Sequence, residues 1–301
     1  MTAAGKPLPG PFSGSFVGVD VGENFLDLAI VDAPPRTLVF KRVALDGLKG
    51  TACGTLAQRI KDAVPELDPR ATALVDSPRW PRDLDWSRGT HRRDPAPRGR
   101  EIDAVLRQIF RTLVAVPAVR VRMPGLSMFP TPRYDYFAQW AHDSKCKPHL
   151  SAIARELFGA LLDADGDARW PAPGGGTFTR FMLAGFAAYR ALERLGVPAF
   201  ESYPDLQLRL SSPSTELPPK RRRADALAAR RHIVASLAAE LGLCDAPVPA
   251  NLDQADAAAL ALATAVCARR GALWVINNPC EGRFMLALDA HQACHLSLGN
   301  A

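Results

Sequence analysis

The sequence predicts a mixed α/β protein in which helices flank a sheet, and three observations predict it. Phe16 to Val21 and Phe25 to Asp32 are β-prone runs that read as a hairpin, and Ala71 to Asp76 is a third run of the same kind. Between and after these runs lie long stretches whose apolar residues recur at helical spacing.

In the opening run, Val17 and Val19 alternate to one face while Asp20 points to the other. Gly22 lets the chain reverse where a bulkier residue strains. Thr37 to Ala44 reads as the third strand, and Thr51 to Val64 as a helix with Leu56, Ile60 and Val64 on one side. Ala71 to Asp76 again ends in a carboxylate and is stopped by Ser77-Pro78. Two strands thus deliver an Asp at the same kind of place.

From Arg79 to Arg100 the pattern gives way to a loop carrying Arg82, Arg88, Arg92, Arg93, Arg98 and Arg100. It reads either as a solvated linker or as an arm that meets phosphate. A helix follows over Glu101 to Leu113, and Pro117 to Pro173 reads as an insertion with small helices at Tyr134 to Ala141 and Leu150 to Leu162. Thr177 to Leu195 is an amphipathic helix ended by Gly196, and Pro198 to Tyr203 is a short strand carrying Glu201 before a proline stop at Pro204.

The run Lys220-Arg221-Arg222-Arg223 precedes a helix over Ala224 to Leu241. Cations at a helix N-terminus oppose its dipole by a few tenths of a kcal/mol or more, so the run points to an anion or is an idle solvated turn. The last strong element is an Ala-rich helix from Asn251 whose first turns hold Asp253 and Asp256, three apart and so on one face. Capping accounts for Asp253 more readily than for Asp256, which opens an otherwise apolar face. The chain therefore divides into a flexible leader over 1–15, a first core part over 16–78, an arginine-rich loop and largely helical insertion over 79–176, and a second core part over 177–301.

Composition narrows the class. At 48% hydrophobic and 23% charged, the 301 residues can bury a sizeable core. The formal net charge of +6 favours an anionic partner. The longest apolar run, Ala257 to Ala268, falls short of the ~18 residues of a membrane span, and the N-terminal stretch has no apolar segment of a signal peptide, so the expectation is a cytoplasmic protein with no membrane partner. The six cysteines form no Cys-x-x-Cys pair, and His291 and His295, near Cys294, have only Asp289 as a nearby carboxylate, so neither set is read as a metal site.

Asp20, Asp76, Glu201 and Asp256, with Asp253 adjacent, all fall at ends of elements that this reading sets side by side. Converging carboxylates repel one another, so such a cluster implies bound cations. Mg²⁺ or Mn²⁺ is the expected tenant, as two ions ~4 Å apart, the arrangement that serves phosphodiester cleavage. Among motifs of comparable chemistry, Gly-x-Ser-x-Gly, Gly-x-x-x-x-Gly-Lys and His-Glu-x-x-His are all missing from the sequence.

These residues resemble those of the family called domain of unknown function 429, predicted nucleases of the ribonuclease H-like superfamily. The resemblance rests on Gly18-Val19-Asp20, Val75-Asp76-Ser77-Pro78, Arg100-Glu101 with Arg107, Glu201-Ser202-Tyr203-Pro204, Lys220 with Arg230, Asp253-Gln254-Ala255-Asp256-Ala257 and Glu281-Gly282. It implies a ribonuclease H-like mixed sheet, a carboxylate metal site and nuclease activity on nucleic acid. Asp20 then bridges two ions, Asp76, Glu201 and Asp256 complete the coordination, Asp253 is an auxiliary ligand or cap, and Lys220 and Arg230 steady phosphate or a metal-bound water. Two other readings stand beside it. One is a nucleic-acid-binding module with an inactive fold of this kind. The other is an actin-like phosphotransferase or ATPase, suggested by Asp20-Val21-Gly22 and Gly174-Gly175-Gly176-Thr177, although Ala172 stands where that superfamily's second phosphate loop has Asp.

Overall fold

Alternating and continuous apolar runs form the strands β1 (Lys6–Pro7), β2 (Phe16–Val21), β3 (Phe25–Val31), β4 (Leu38–Ala44), β5 (Thr72–Val75), β6 (Ala199–Glu201), β7 (Leu273–Asn278) and β8 (Gly282–Ala287). The helices are α1 (Cys53–Ala63), α2 (Thr179–Arg194), α3 (Pro204–Ser211), α4 (Arg223–Glu240) and α5 (Leu252–Arg269). The structure is a computed structural model that describes residues 6–7, 14–22, 24–32, 34, 37–45, 53–77, 102, 105–106, 179–212, 215–278 and 282–288.

The described strands make one mixed sheet in the order β1-β7-β8-β6-β5-β2-β3-β4, seven strands extended at one edge by the two-residue β1. β2, β3 and β4 form an antiparallel meander, while β5 runs parallel to β2 on its other side and β6 parallel to β5. Beyond β6, β8 is parallel to it and β7 antiparallel to β8.

Strand periodicity assigns the two faces of β2. Val17, Val19 and Val21 turn toward α1 and α2, joined there by Val75, Leu56, Ile60 and Leu192. Phe16 turns the other way, into the cluster built by α4 and α5, with Leu74, Phe200, Ile233 and Leu260. Helix α5 is enclosed between α4 and the sheet, and every residue from Ala255 to Cys267 is buried. Its alanines keep it thin enough for that position.

The closest approach is at Gly18. A Cβ built there lies 1.9 Å from the Ala257 carbonyl oxygen and 3.0 Å from the Ala261 nitrogen, so only glycine lets α5 lie on β2 at this depth. Gly18→Ala is expected to force the helix off the strand, costing about 1–3 kcal/mol by denaturant unfolding. Because Asp256 adjoins Ala257 on α5 and Asp20 adjoins the same stretch of β2, the substitution also separates those carboxylates. An unchanged midpoint of unfolding contradicts this packing.

Some expected boundaries change. Lys6 and Pro7, expected in a flexible leader, pair with Val275 and Trp274. This satisfies part of the outer edge of β7, and a proline is tolerated at such an edge because it has no N–H to contribute. Pro204 ends β6 as expected but also occupies the first turn of α3, where its fixed φ suits a helix start. β7 and β8 are additional strands where the sequence suggested none. The buried Gln207 side chain of α3 joins them to β6: its Nε2 donates to Ser202 Oγ at 2.7 Å and the Met285 carbonyl at 3.0 Å, and its Oε1 accepts from Ala287 N at 3.1 Å. The amide continues the ladder where β6 stops.

Of the expected insertion, Ile102, Val105 and Leu106 are described. They are helical and pack with Leu206, Leu210, Trp274 and Phe284. The arginine-rich loop, the small helices expected at 134–141 and 150–162, Gly174 to Thr177 and the tail with His291 and His295 lie outside the described residues.

Candidate functional site

The parallel register of β2 and β5 pairs Gly18 with Leu74 and Val19 with Val75, and the Asp76 N–H donates to the Val19 carbonyl at 2.9 Å. Asp76 is therefore held at the strand end beside Asp20. Behind it, α2 fixes the turn: the Tyr189 hydroxyl donates to the Ser77 carbonyl at 2.8 Å, and Gly185 leaves room for the Ser77 side chain. Asp253 and Asp256 come from the first two turns of α5. The cap of that helix is Asn251, whose Oδ1 accepts from Gln254 N at 2.9 Å while Gln254 Oε1 accepts from Ala250 N at 2.8 Å. Of the two places expected for Asp253, N-cap or first-turn acid, it takes the second: the chain enters the helix two residues earlier, Asn251 is the cap, and Asp253 stands half-exposed in the first turn.

Three elements distant in sequence thereby gather Asp20, Asp76 and Asp256, with Asp253 at the rim. Asp20 is buried, and among the described residues no cation lies within ion-pair distance of it. Its burial, and then Asp76 and Asp256, push the Asp20 carboxyl well above the usual carboxylate range, against the opposing influence of Lys220 and with a further upward contribution from Asp253. Burial, followed by Asp27, likewise raises Asp253, while Lys220 and Arg42 pull it down.

Asp256 is fully buried and doubly paired: Arg230 Nε donates to Oδ1 at 2.8 Å and Lys220 Nζ lies 2.6 Å from Oδ2. Arg230 is itself fully buried, and its other arm bonds Asp205 Oδ1 at 2.5 Å. Burial works against the charge of Lys220, but Asp256, then Asp76 and Asp20, outweigh it and hold the ammonium protonated beyond the ordinary lysine range. The three neighbouring arginines, Arg221 to Arg223, are exposed at the start of α4.

Glu201 is placed apart from this group. Its register partners are Val75 and Phe284, and Val75 belongs with Val19 and Ala199 to the face under α1 and α2, opposite the α5 face that Asp20 shares. The Glu201 side chain is buried and accepts a hydrogen bond from the Tyr203 hydroxyl at 2.7 Å. Asp20, Asp76, Asp253, Asp256, Lys220 and Arg230 are brought together; Glu201 is not.

Sequence reasoning missed three residues. Asp27 lies directly opposite Asp20 in β3, and Arg42 directly opposite Asp27 in β4, making a charged row across the meander. Arg42 grips the fully buried Asp27 with two bonds, Nε to Oδ1 at 2.9 Å and Nη2 to Oδ2 at 2.7 Å, while its guanidinium lies 3.9 Å over the Phe25 ring and reaches within 3.9 Å of Asp253. Asp205 is the third. The hairpin pairing that sets Val21 against Leu26 also fixes Asp20 against Asp27, so a register argument could have found that residue.

A divalent cation fits one part of this site and meets a competitor in another. Asp20 and Asp76 offer oxygen donors of the kind Mg²⁺ or Mn²⁺ takes, and Asp20 is a buried carboxylate whose charge nothing described neutralises at close range. Asp256, however, is turned onto Arg230 and Lys220, and among the described residues no three Asp, Glu, His or Cys side chains converge into a metal-binding group. Among those residues, no helix is long and apolar enough to cross a membrane. No protein-family model, curated protein or solved structure matches the chain.

Proposed function

We propose that the protein is a divalent-metal-dependent nuclease with a ribonuclease H-like core, in which Asp20 and Asp76 hold the metal beside the paired carboxylate of Asp256. The observation that carries this reading is that the register of β2 and β5 holds Asp76 beside Asp20, a buried carboxylate that Asp256 on α5 also acts on and that has no ion-pair partner among the described residues. Burying an unpaired carboxylate beside two others opposes folding, and a site that binds a cation gives that arrangement a use. The mixed sheet with helices on both faces is in keeping with the expected core.

When bound, Mg²⁺ supplies Lewis acidity toward the scissile phosphate. The chain's own groups do the rest: Asp20 and Asp76 fix the ion against the strand ends, Arg230 holds Asp256 in one orientation, and Lys220 with the exposed Arg221 to Arg223 attracts the phosphate backbone. Nucleic acid is the proposed substrate class on that charge arrangement.

A second reading is favoured by one observation, the neutralisation of Asp256 by two cations. On it, the protein binds nucleic acid without hydrolysing it. Incubation with single- and double-stranded DNA and RNA in Mg²⁺ or Mn²⁺ separates the two. Metal-dependent cleavage that disappears in Asp20→Asn supports the nuclease; salt-sensitive binding without cleavage supports the module.

A further inference from the structure

Resting on the metal-site reading above, we infer that the Lys220 ammonium stands permanently in place of a second cation, so that the site takes one divalent ion rather than two. Lys220 comes from the turn before α4, outside the sheet, yet its Nζ lies 2.6 Å from Asp256 Oδ2. Asp76 and Asp20 add to Asp256 in favouring the charged form of Lys220. The other Asp256 oxygen is occupied by Arg230, which is fully buried and anchored from behind by Asp205, so the carboxylate has no free oxygen for a second ion while Lys220 remains.

Asp20 and Asp76 are then the principal ligands of the single ion, and Asp256 fixes the lysine. The lysine is half-exposed, so its end can also meet a phosphate oxygen without leaving the carboxylate.

The test counts bound Mn²⁺ per chain by electron paramagnetic resonance, in wild type, Lys220→Met, Lys220→Arg and Asp20→Asn. One ion is expected in wild type and in Lys220→Arg, which keeps the cation, two in Lys220→Met, and none in Asp20→Asn. Two ions in the wild type overturn the inference even if Lys220→Met fails to fold. So does a single ion in a folded Lys220→Met. In both of those cases the metal-site reading survives. If no ion binds to any of the four proteins, that reading fails and the inference falls with it.

Discussion

Asp20→Asn is expected to raise the melting temperature at neutral pH while it abolishes divalent-ion binding and hydrolysis. In an unfolded chain the carboxyl titrates near 3.8, but burial and its acidic neighbours hold it protonated to higher pH in the folded protein. Across the window between those two values the folded state binds more protons. Stability therefore falls as pH rises through the window and stays at the lower level above it. Asparagine removes that penalty, so the gain is present at pH 7 and vanishes below about pH 4. Each kcal/mol recovered raises the melting temperature by roughly 2–4 °C.

Adding Mn²⁺ reverses the order. An ion that binds only the folded wild type stabilises it by about 2.7 kcal/mol at a hundred times its dissociation constant, and the variant gains nothing. Scanning calorimetry in chelator and in Mn²⁺, at pH 7 and pH 4, reads all four conditions. A variant that is less stable than wild type in chelator at pH 7 assigns Asp20 a structural role instead.

Arg230→Met is expected to destabilise the fold by about 3–5 kcal/mol, because it strands Asp256 in a fully buried position where the half-exposed Lys220 is the one cation left beside it among the described residues. The volume of the side chain is largely retained, so the loss reports charge rather than packing. Introducing Asp256→Asn in the same background should then recover a large part of the loss, a coupling that denaturant unfolding of the four-member cycle measures. Equal destabilisation with and without Asp256→Asn contradicts the pairing.

What could be read in advance follows from how local the signal was. Asp20 and Asp76 stand out because each interrupts a β-prone run at its polar end, and Asp256 because it breaks a face of alanines. Glu201 carries the same local signal, yet its face depends on the register of β6 against β5, which no feature of a three-residue strand encodes. β7 and β8 went unseen for a related reason. Ala272 to Ile276 and Phe284 to Leu288 are buried without interruption, so they lack the alternation that marks a strand with one solvated face. Arg230 looks in sequence like one of several polar positions on α4, and its burial is created by Asp205 and Asp256, 25 and 26 residues away. Lys220 was legible as a basic residue near a helix start, but its contact with Asp256 arises only when α5 is seated on Gly18.

The central claim is that Asp20 and Asp76, set side by side at the ends of β2 and β5, bind a divalent ion. Calorimetric titration of Mn²⁺ into the wild type and into Asp20→Asn tests it without any assumption about substrate. Saturable binding in the wild type that is lost in the variant is the predicted result. Absence of saturable binding in the wild type, or equal binding in both proteins, contradicts it.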